Sequence, residues 1–205
     1  LLLAAICVSA AFSAAPLQTL DLSTGWKFKP EPAGRMPQWQ SPTLADDDWA
    51  RLNAGVRWED QGFSSTDGYA WYRHEFEVAA DWSQKQAWLI LGAVNDAFAL
   101  FCNGHFINEF GDSLKHTVAN TPSLASLNPW LHAGKNVLAL RVLDAGGSGG
   151  LWQLPCLLTI DPIVMDTFPT LFCEPPADGT HIDVHLNMIQ LGRPWRHTRL
   201  DLALI

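Results

Sequence analysis

The sequence is poor in charge. Only 17% of its 205 residues are Asp, Glu, Lys or Arg, against about 25% in an average soluble domain. Basic residues are the scarcer kind, 13 against 21 acidic, for a formal net charge of −8. That balance excludes a nucleic-acid binder, because a phosphate backbone needs the opposite sign. No apolar run reaches the roughly 18 residues of a membrane-spanning helix, which excludes a multispan membrane protein. Cysteine is sparse, at 4, and no spacing between the four resembles a zinc site. Helical periodicity is nearly absent from the first 160 residues. Large aromatics are abundant, with 10 Trp and 10 Phe beside 2 Tyr. Disordered chains lack such residues and carry more charge, so disorder is excluded as well. The chain is long enough to bury a core without disulfides or metals.

The first residues, Leu1-Leu2-Leu3-Ala4-Ala5-Ile6-Cys7-Val8, lead through small residues to Ala14-Ala15-Pro16. An apolar run followed by a small-residue site reads as the remnant of a secretory signal over residues 1–15. The expected location is therefore secreted or periplasmic. Cys7 would leave with the signal. Cys102, Cys156 and Cys173 remain, an odd number that makes a poor disulfide framework, and they read as small buried hydrophobes. The other end, Ile205, falls inside an alternating apolar run, so a larger protein is expected.

The body reads as strands and turns. Ala70 to Val78 alternates: Ala70, Tyr72, His74, Phe76 and Val78 share one face, and Trp71, Arg73, Glu75 and Glu77 the other. Gln86 to Val94 is a more continuous apolar run, as in a strand covered on both faces. Asn103-Gly104 between apolar runs predicts a hairpin with a type I′ turn. Gly134-Lys135-Asn136 reads as a second turn before an apolar strand, Val137 to Leu143. After the glycine-rich bend 146–150 a further strand is expected from Leu151 to Ile160. Many short strands between turn signals indicate a sandwich or barrel. Asp161-Pro162 looks like a boundary, after which Thr180 to Gln190 alternates again. The predicted fold is all-β: a β-sandwich over residues 16–160, then the start of a second, incomplete sandwich over 161–205.

Few motifs carry chemistry. Gly146-Gly147-Ser148-Gly149-Gly150 matches the G-x-S-x-G elbow of serine hydrolases, but that motif needs a helix after it, and here a strand follows. Asp46-Asp47-Asp48 lacks the ligand spacing of a calcium loop and reads as a solvated turn. His181-x-Asp183-x-His185 puts two imidazoles and a carboxylate on one strand face, with no identifiable fourth ligand. No catalytic residues, metal ligands or cofactor are assigned. The tryptophans fit carbohydrate chemistry better, since an indole face stacks on a pyranose while nearby acids and amides take its hydroxyls. Trp58, Glu59, Asp67, Trp71, Asn95 and Asp96 are the candidate sugar-binding residues. Core packing is the competing role for both tryptophans.

Trp58-Glu59, Asp67-Gly68-Tyr69-Ala70-Trp71-Tyr72-Arg73, Leu91-Gly92-Ala93-Val94-Asn95-Asp96-Ala97-Phe98, Phe101-Cys102-Asn103-Gly104 and Leu131-x-x-Gly134-Lys135-Asn136-Val137-Leu138 follow one another in this order. The series resembles the N-terminal sugar-binding domain of family 2 glycoside hydrolases, β-galactosidases among them, over about residues 22–160. It also resembles the jelly-roll insert of sialate O-acetylesterases. The resemblance implies a galactose-binding-like jelly roll, then an immunoglobulin-like sandwich, then a catalytic (β/α)8 barrel in the same polypeptide. It implies carbohydrate as the partner and a non-catalytic, binding or positioning role for this region. Two other roles stay open: an accessory domain of a carbohydrate esterase, and a purely structural interaction module. One departure stands out. Where family galactosidases carry an Asp and then Trp-Arg, this chain reads Gly149-Gly150-Leu151-Trp152-Gln153.

Overall fold

A computed structural model of the chain describes residues 18–34, 36–111, 117–160, 169–174 and 183–188. The expected signal segment lies outside the described residues. Two antiparallel sheets enclose the core. The larger runs, in spatial order, β3 (Ala50–Leu52), β2 (Trp26–Pro30), β4 (Gly68–Val78), β10 (Gly134–Asp144), β7 (Ala97–Cys102) and β8 (His105–Phe110). The smaller runs β1 (Thr19–Asp21), β12 (Cys156–Thr159), β5 (Trp88–Leu91) and β9 (Ser123–Ser126). A short ladder joins β6 (Val94–Asn95) to β11 (Gly150–Leu151). A last antiparallel pair joins β13 (Pro169–Glu174) to β14 (Asp183–Met188). Asp183 and His185 lie on β14, and His181 lies outside the described residues.

The strand alternation becomes two faces of one sheet. β4 and β10 pair along their whole length, from Val78 opposite Gly134 to Gly68 opposite Asp144. The inward set of β4, Ala70, Tyr72, Phe76 and Val78, joins Leu138, Leu140 and Val142 of β10 in the main core. Leu89 and Leu91 of β5 and Leu158 of β12 close that core from the opposite sheet. Each buried Leu or Phe there contributes about 2 kcal/mol by leaving water. Asn103 and Gly104 have φ of +50° and +84°, as the type I′ turn between β7 and β8 requires. Cys102 and Cys156 are free and buried, and burial pushes the Cys102 thiol up to about 12.

The outer face of the six-stranded sheet is covered too. Trp39, Leu44 and Trp49, from the long connection between β2 and β3, pack over Trp71, Phe101 and Ala139. Ionic contacts fasten this layer. Arg73 Nε donates to Asp46 Oδ2 at 2.7 Å, and Nη1 donates to the Trp39 and Ser41 carbonyls at 2.6 and 2.9 Å. Lys27 also donates to Asp46. Arg141 makes a bidentate pair with Glu31 at 2.7 and 2.8 Å. Burial works against both carboxylates, but the hydrogen bonds from Arg73 and Lys27 hold Asp46 below the usual range, and those from Arg141 and Trp71 do the same for Glu31.

Two sequence expectations need correction here. Asp46 does not belong to a solvated turn. It is 3% exposed, because the buried Arg73 guanidinium needs a counter-charge. Asp47 and Asp48 are exposed, as a turn predicts. The strand expected over Leu151 to Ile160 is two strands, β11 and β12, with Trp152 to Pro155 bending between them. Pro155 has no N–H for a ladder, and the chain here changes from one sheet to the other.

Candidate functional site

The candidate residues gather, in part, at the end of the sandwich where β10 finishes and β4 begins. Trp58 and Glu59 lie in the connection from β3 to β4, and Glu59 opens a single 3-10 turn, Glu59–Gln61. Asn95 ends β6 and Asp96 follows it. Asp67 immediately precedes β4 and is exposed. All of them surround the loop from Asp144 to Gly150.

That loop is held by side chains. The Glu59 carboxylate accepts the Gly149 N–H, at 3.0 and 3.2 Å to its two oxygens. Asp96 Oδ2 accepts the Ala145 N–H at 3.0 Å, and Asp96 Oδ1 accepts the Thr117 hydroxyl at 3.1 Å. Asp144 Oδ1 accepts the Gly146 N–H at 2.8 Å. The Asn95 amide donates to the Ser148 carbonyl. Asn95 Oδ1 and Asp144 Oδ2 are buried with no hydrogen-bond partner among the described residues. Burial, reinforced by the charges of Glu59, Asp96 and Asp67, pushes the Asp144 carboxyl above the usual range, against the pull of the Gly146 N–H.

The glycines are a steric requirement. A Cβ on Gly149 would run into the Trp58 ring, and one on Gly150 would come within 2.5 Å of the Tyr72 hydroxyl. No nucleophile elbow forms, because Ser148 is followed by β11 and not by a helix.

Trp58 and Trp71 have the place expected of core residues, not of sugar platforms. Both are 0% exposed. Trp58 stacks on Tyr72 with centroids 6.5 Å apart and packs against Phe28 at 5.4 Å. Trp71 stacks on Phe101 at 5.7 Å, and its indole N–H donates to Glu31 at 2.8 Å. Trp71 therefore lies in the outer layer, away from Glu59 and Asp96. The groups at the loop end that a ligand can reach are Asp67, half-buried Glu59, exposed Arg57 and half-buried Trp152. The Arg57 guanidinium sits over the Trp152 ring at 5.2 Å, a cation–π contact. Sequence reading passed over Arg57 and Asp144. The signal for Asp144 was its position at the join of an apolar strand and a glycine run. Nothing local marked Arg57. Among the described residues no three His, Cys, Asp or Glu side chains are arranged to hold a metal ion.

An all-β antiparallel sandwich with an acid-held glycine loop at one end defines the class of domain. Its relatives are consistent with that class. Residues 37–152 match the family described as "Glycosyl hydrolases family 2, sugar binding domain", and the chain belongs to that family. It is 28% identical to a β-galactosidase of Pectobacterium atrosepticum over an alignment covering 95% of this chain and 20% of that protein. It is 26% identical to a β-galactosidase of Vibrio cholerae, covering 60% of this chain and 14% of that protein. The chain thus spans a fifth or less of these relatives' length. Among solved structures, a glycosyl hydrolase family 2 member from Bacteroides cellulosilyticus superposes with a TM-score of 0.60 at 19% identity, covering 76% of this chain and 23% of the other. A Bacteroides uniformis β-glucuronidase superposes at 0.55 and 22% identity, covering 70% and 18%. Both show the same fold.

Proposed function

We propose that this chain is a non-catalytic carbohydrate-positioning module of an exported family 2-like glycoside hydrolase, with the catalytic domain elsewhere in the same polypeptide. The observation that carries the reading is the match of residues 37–152 to the family's sugar-binding domain. The loop end supplies fitting chemistry. Asp67 and Glu59 accept sugar hydroxyls, Arg57 donates to ring or carbonyl oxygens, and Trp152 gives an aromatic edge. Asn95 and Asp96 act one step back, by fixing the loop that frames these groups. Trp58 and Trp71 support the frame from inside the fold.

Titration of the chain with a panel of neutral galacto- and gluco-oligosaccharides tests this. Saturable binding is expected, weakened about tenfold by Asp67→Ala, which removes an exposed hydroxyl acceptor. Absence of binding to every neutral sugar would leave the loop end with a structural role only. One feature favours the esterase-accessory reading as second choice. Gly149 and Gly150 pack so closely on Trp58 and Tyr72 that the Asp of the galactosidases has no room there.

A further inference from the structure

A cavity lies at the opposite end of the sandwich, where β10 begins. It is an open groove of about 420 Å³, within the range of small-molecule sites. The β7–β8 turn and the segment before β10 form its walls. His105 and Trp130 stack with centroids 3.7 Å apart and planes 8° apart, and both line the groove with Pro129, His132 and Lys135. Trp130 is 39% exposed, unlike the fully enclosed Trp58 and Trp71.

The wall is rigid for reasons that need no ligand. Asn103 Nδ2 donates to the Trp130 carbonyl and to Asn136 Oδ1, each at 2.8 Å, while Asn103 Oδ1 accepts the Val137 N–H at 2.8 Å. Asn136 in turn accepts the His132 N–H at 3.1 Å and donates to the His132 and Gly134 carbonyls at 2.7 and 2.8 Å. Both amides are thereby used up on the backbone and on each other. The polar groups left to face a ligand are the two imidazoles and the Lys135 ammonium.

The charge of this place is unlike that of the chain. The protein is net −8, yet no Asp or Glu lines the groove. Lys135 does pair with Glu75 at 3.0 Å, outside the groove wall; that hydrogen bond and the charge of Glu75, with smaller contributions from the charges of Glu77 and Asp46, raise the ammonium above its usual range, so it stays charged. One proton of the ammonium serves Glu75 and the others remain available.

We propose that this groove binds an acidic sugar, a uronate residue of an oligosaccharide. The carboxylate meets Lys135 and the imidazole edges. The apolar face of the pyranose lies against the Trp130–His105 wall and Pro129. A bare inorganic anion would leave that wall unused. A nucleic acid would need basic surface well beyond one lysine on a chain of net negative charge. The proposal goes beyond the sugar-positioning role of the loop end and uses none of its residues.

The test is calorimetric titration of the chain with α-1,4-linked trigalacturonate and, separately, with its fully methyl-esterified form. The free acid is expected to bind about tenfold tighter than the ester, the worth of one charge-assisted contact. Trp130→Ala should weaken the acid's binding by about tenfold, as loss of an aromatic contact does. Lys135→Gln should weaken it about threefold to tenfold and remove most of the preference over the ester. Lys135 is 66% exposed, so this variant reports on binding even if Trp130→Ala perturbs the turn. Arg51→Gln, which removes one exposed positive charge elsewhere, should leave binding unchanged. Equal binding of acid and ester, no saturable binding of the acid, or inorganic phosphate binding as tightly as the sugar would each overturn the proposal. Neutral-sugar binding that depends on Asp67 but not on Trp130, without acid binding, would overturn it while the loop-end reading stood.

Discussion

The two ends of the sandwich are built on the same pair of strands and end in opposite chemistries. β4 and β10 run side by side for eleven residues, roughly 33 Å at the usual rise per residue. At one end three carboxylates and an amide hold a glycine loop, and of these Glu59 keeps part of its carboxylate within reach of solvent. At the other, two asparagines lock the turns and leave a tryptophan, two histidines and a lysine facing outward. The first end is crowded, acidic and partly unsatisfied. The second is open, basic and satisfied. The difference is one of chemistry as well as place: carboxylates, which only accept, close on the N–H groups of a loop above them, whereas amides, which donate and accept, brace a turn beside them and leave the groove open.

The sharpest way to break this contrast is Gly149→Ala. A methyl group there collides with the buried Trp58 ring, which cannot move within a close-packed core. A loss of about 3 kcal/mol is expected, the upper part of the usual overpacking range, read from the urea midpoint of unfolding. A smaller cost near the wild-type midpoint would show that the loop end is looser than described. At the other end Asn136→Ala should cost about 2 kcal/mol, because it removes the partner of three part-buried backbone groups and of the Asn103 amide at once. The same denaturation experiment compares the two ends directly. The smallest effect belongs to Asp144→Asn. Its carboxyl is held above its unfolded value, so its contribution to stability is complete below about pH 4 and is lost as pH rises through the folded value. The asparagine variant should therefore melt higher than the parent at pH 7, and the two melting curves should converge in acid. A gap that widens in acid would reverse the assignment.

Much of the frame was legible in the sequence. The period-two pattern of β4 gives its two faces, and Asn103-Gly104 gives the β7–β8 hairpin, because both depend on neighbours in the chain. What stayed hidden depends on residues far apart. Trp71 and Arg73 sit on the face of β4 opposite the core, and local alternation treats that face as the outer one. Trp39, Asp46 and Trp49 come from a distant connection and enclose it. Trp58 likewise vanishes under Gly149, 91 positions later. The Trp130–His105 wall joins two segments with no common pattern, so composition alone could not distinguish that tryptophan from the buried ones. Asp46 was misread for the same reason: its partner is 27 residues away.

The covering over the outer face of the large sheet has a consequence of its own. The core beneath is held by exclusion of water, which pH hardly touches. The covering is pinned by two acids, Glu31 and Asp46, each kept anionic below its customary range. Such groups lend stability above their unfolded values and withdraw it only as pH falls through their lowered folded ones. The molecule therefore wears a coat whose fastenings are electrical over a body whose cohesion is not. Mild acidity leaves the coat buttoned, and only strong acid can undo it while the body beneath keeps its reason to stay folded.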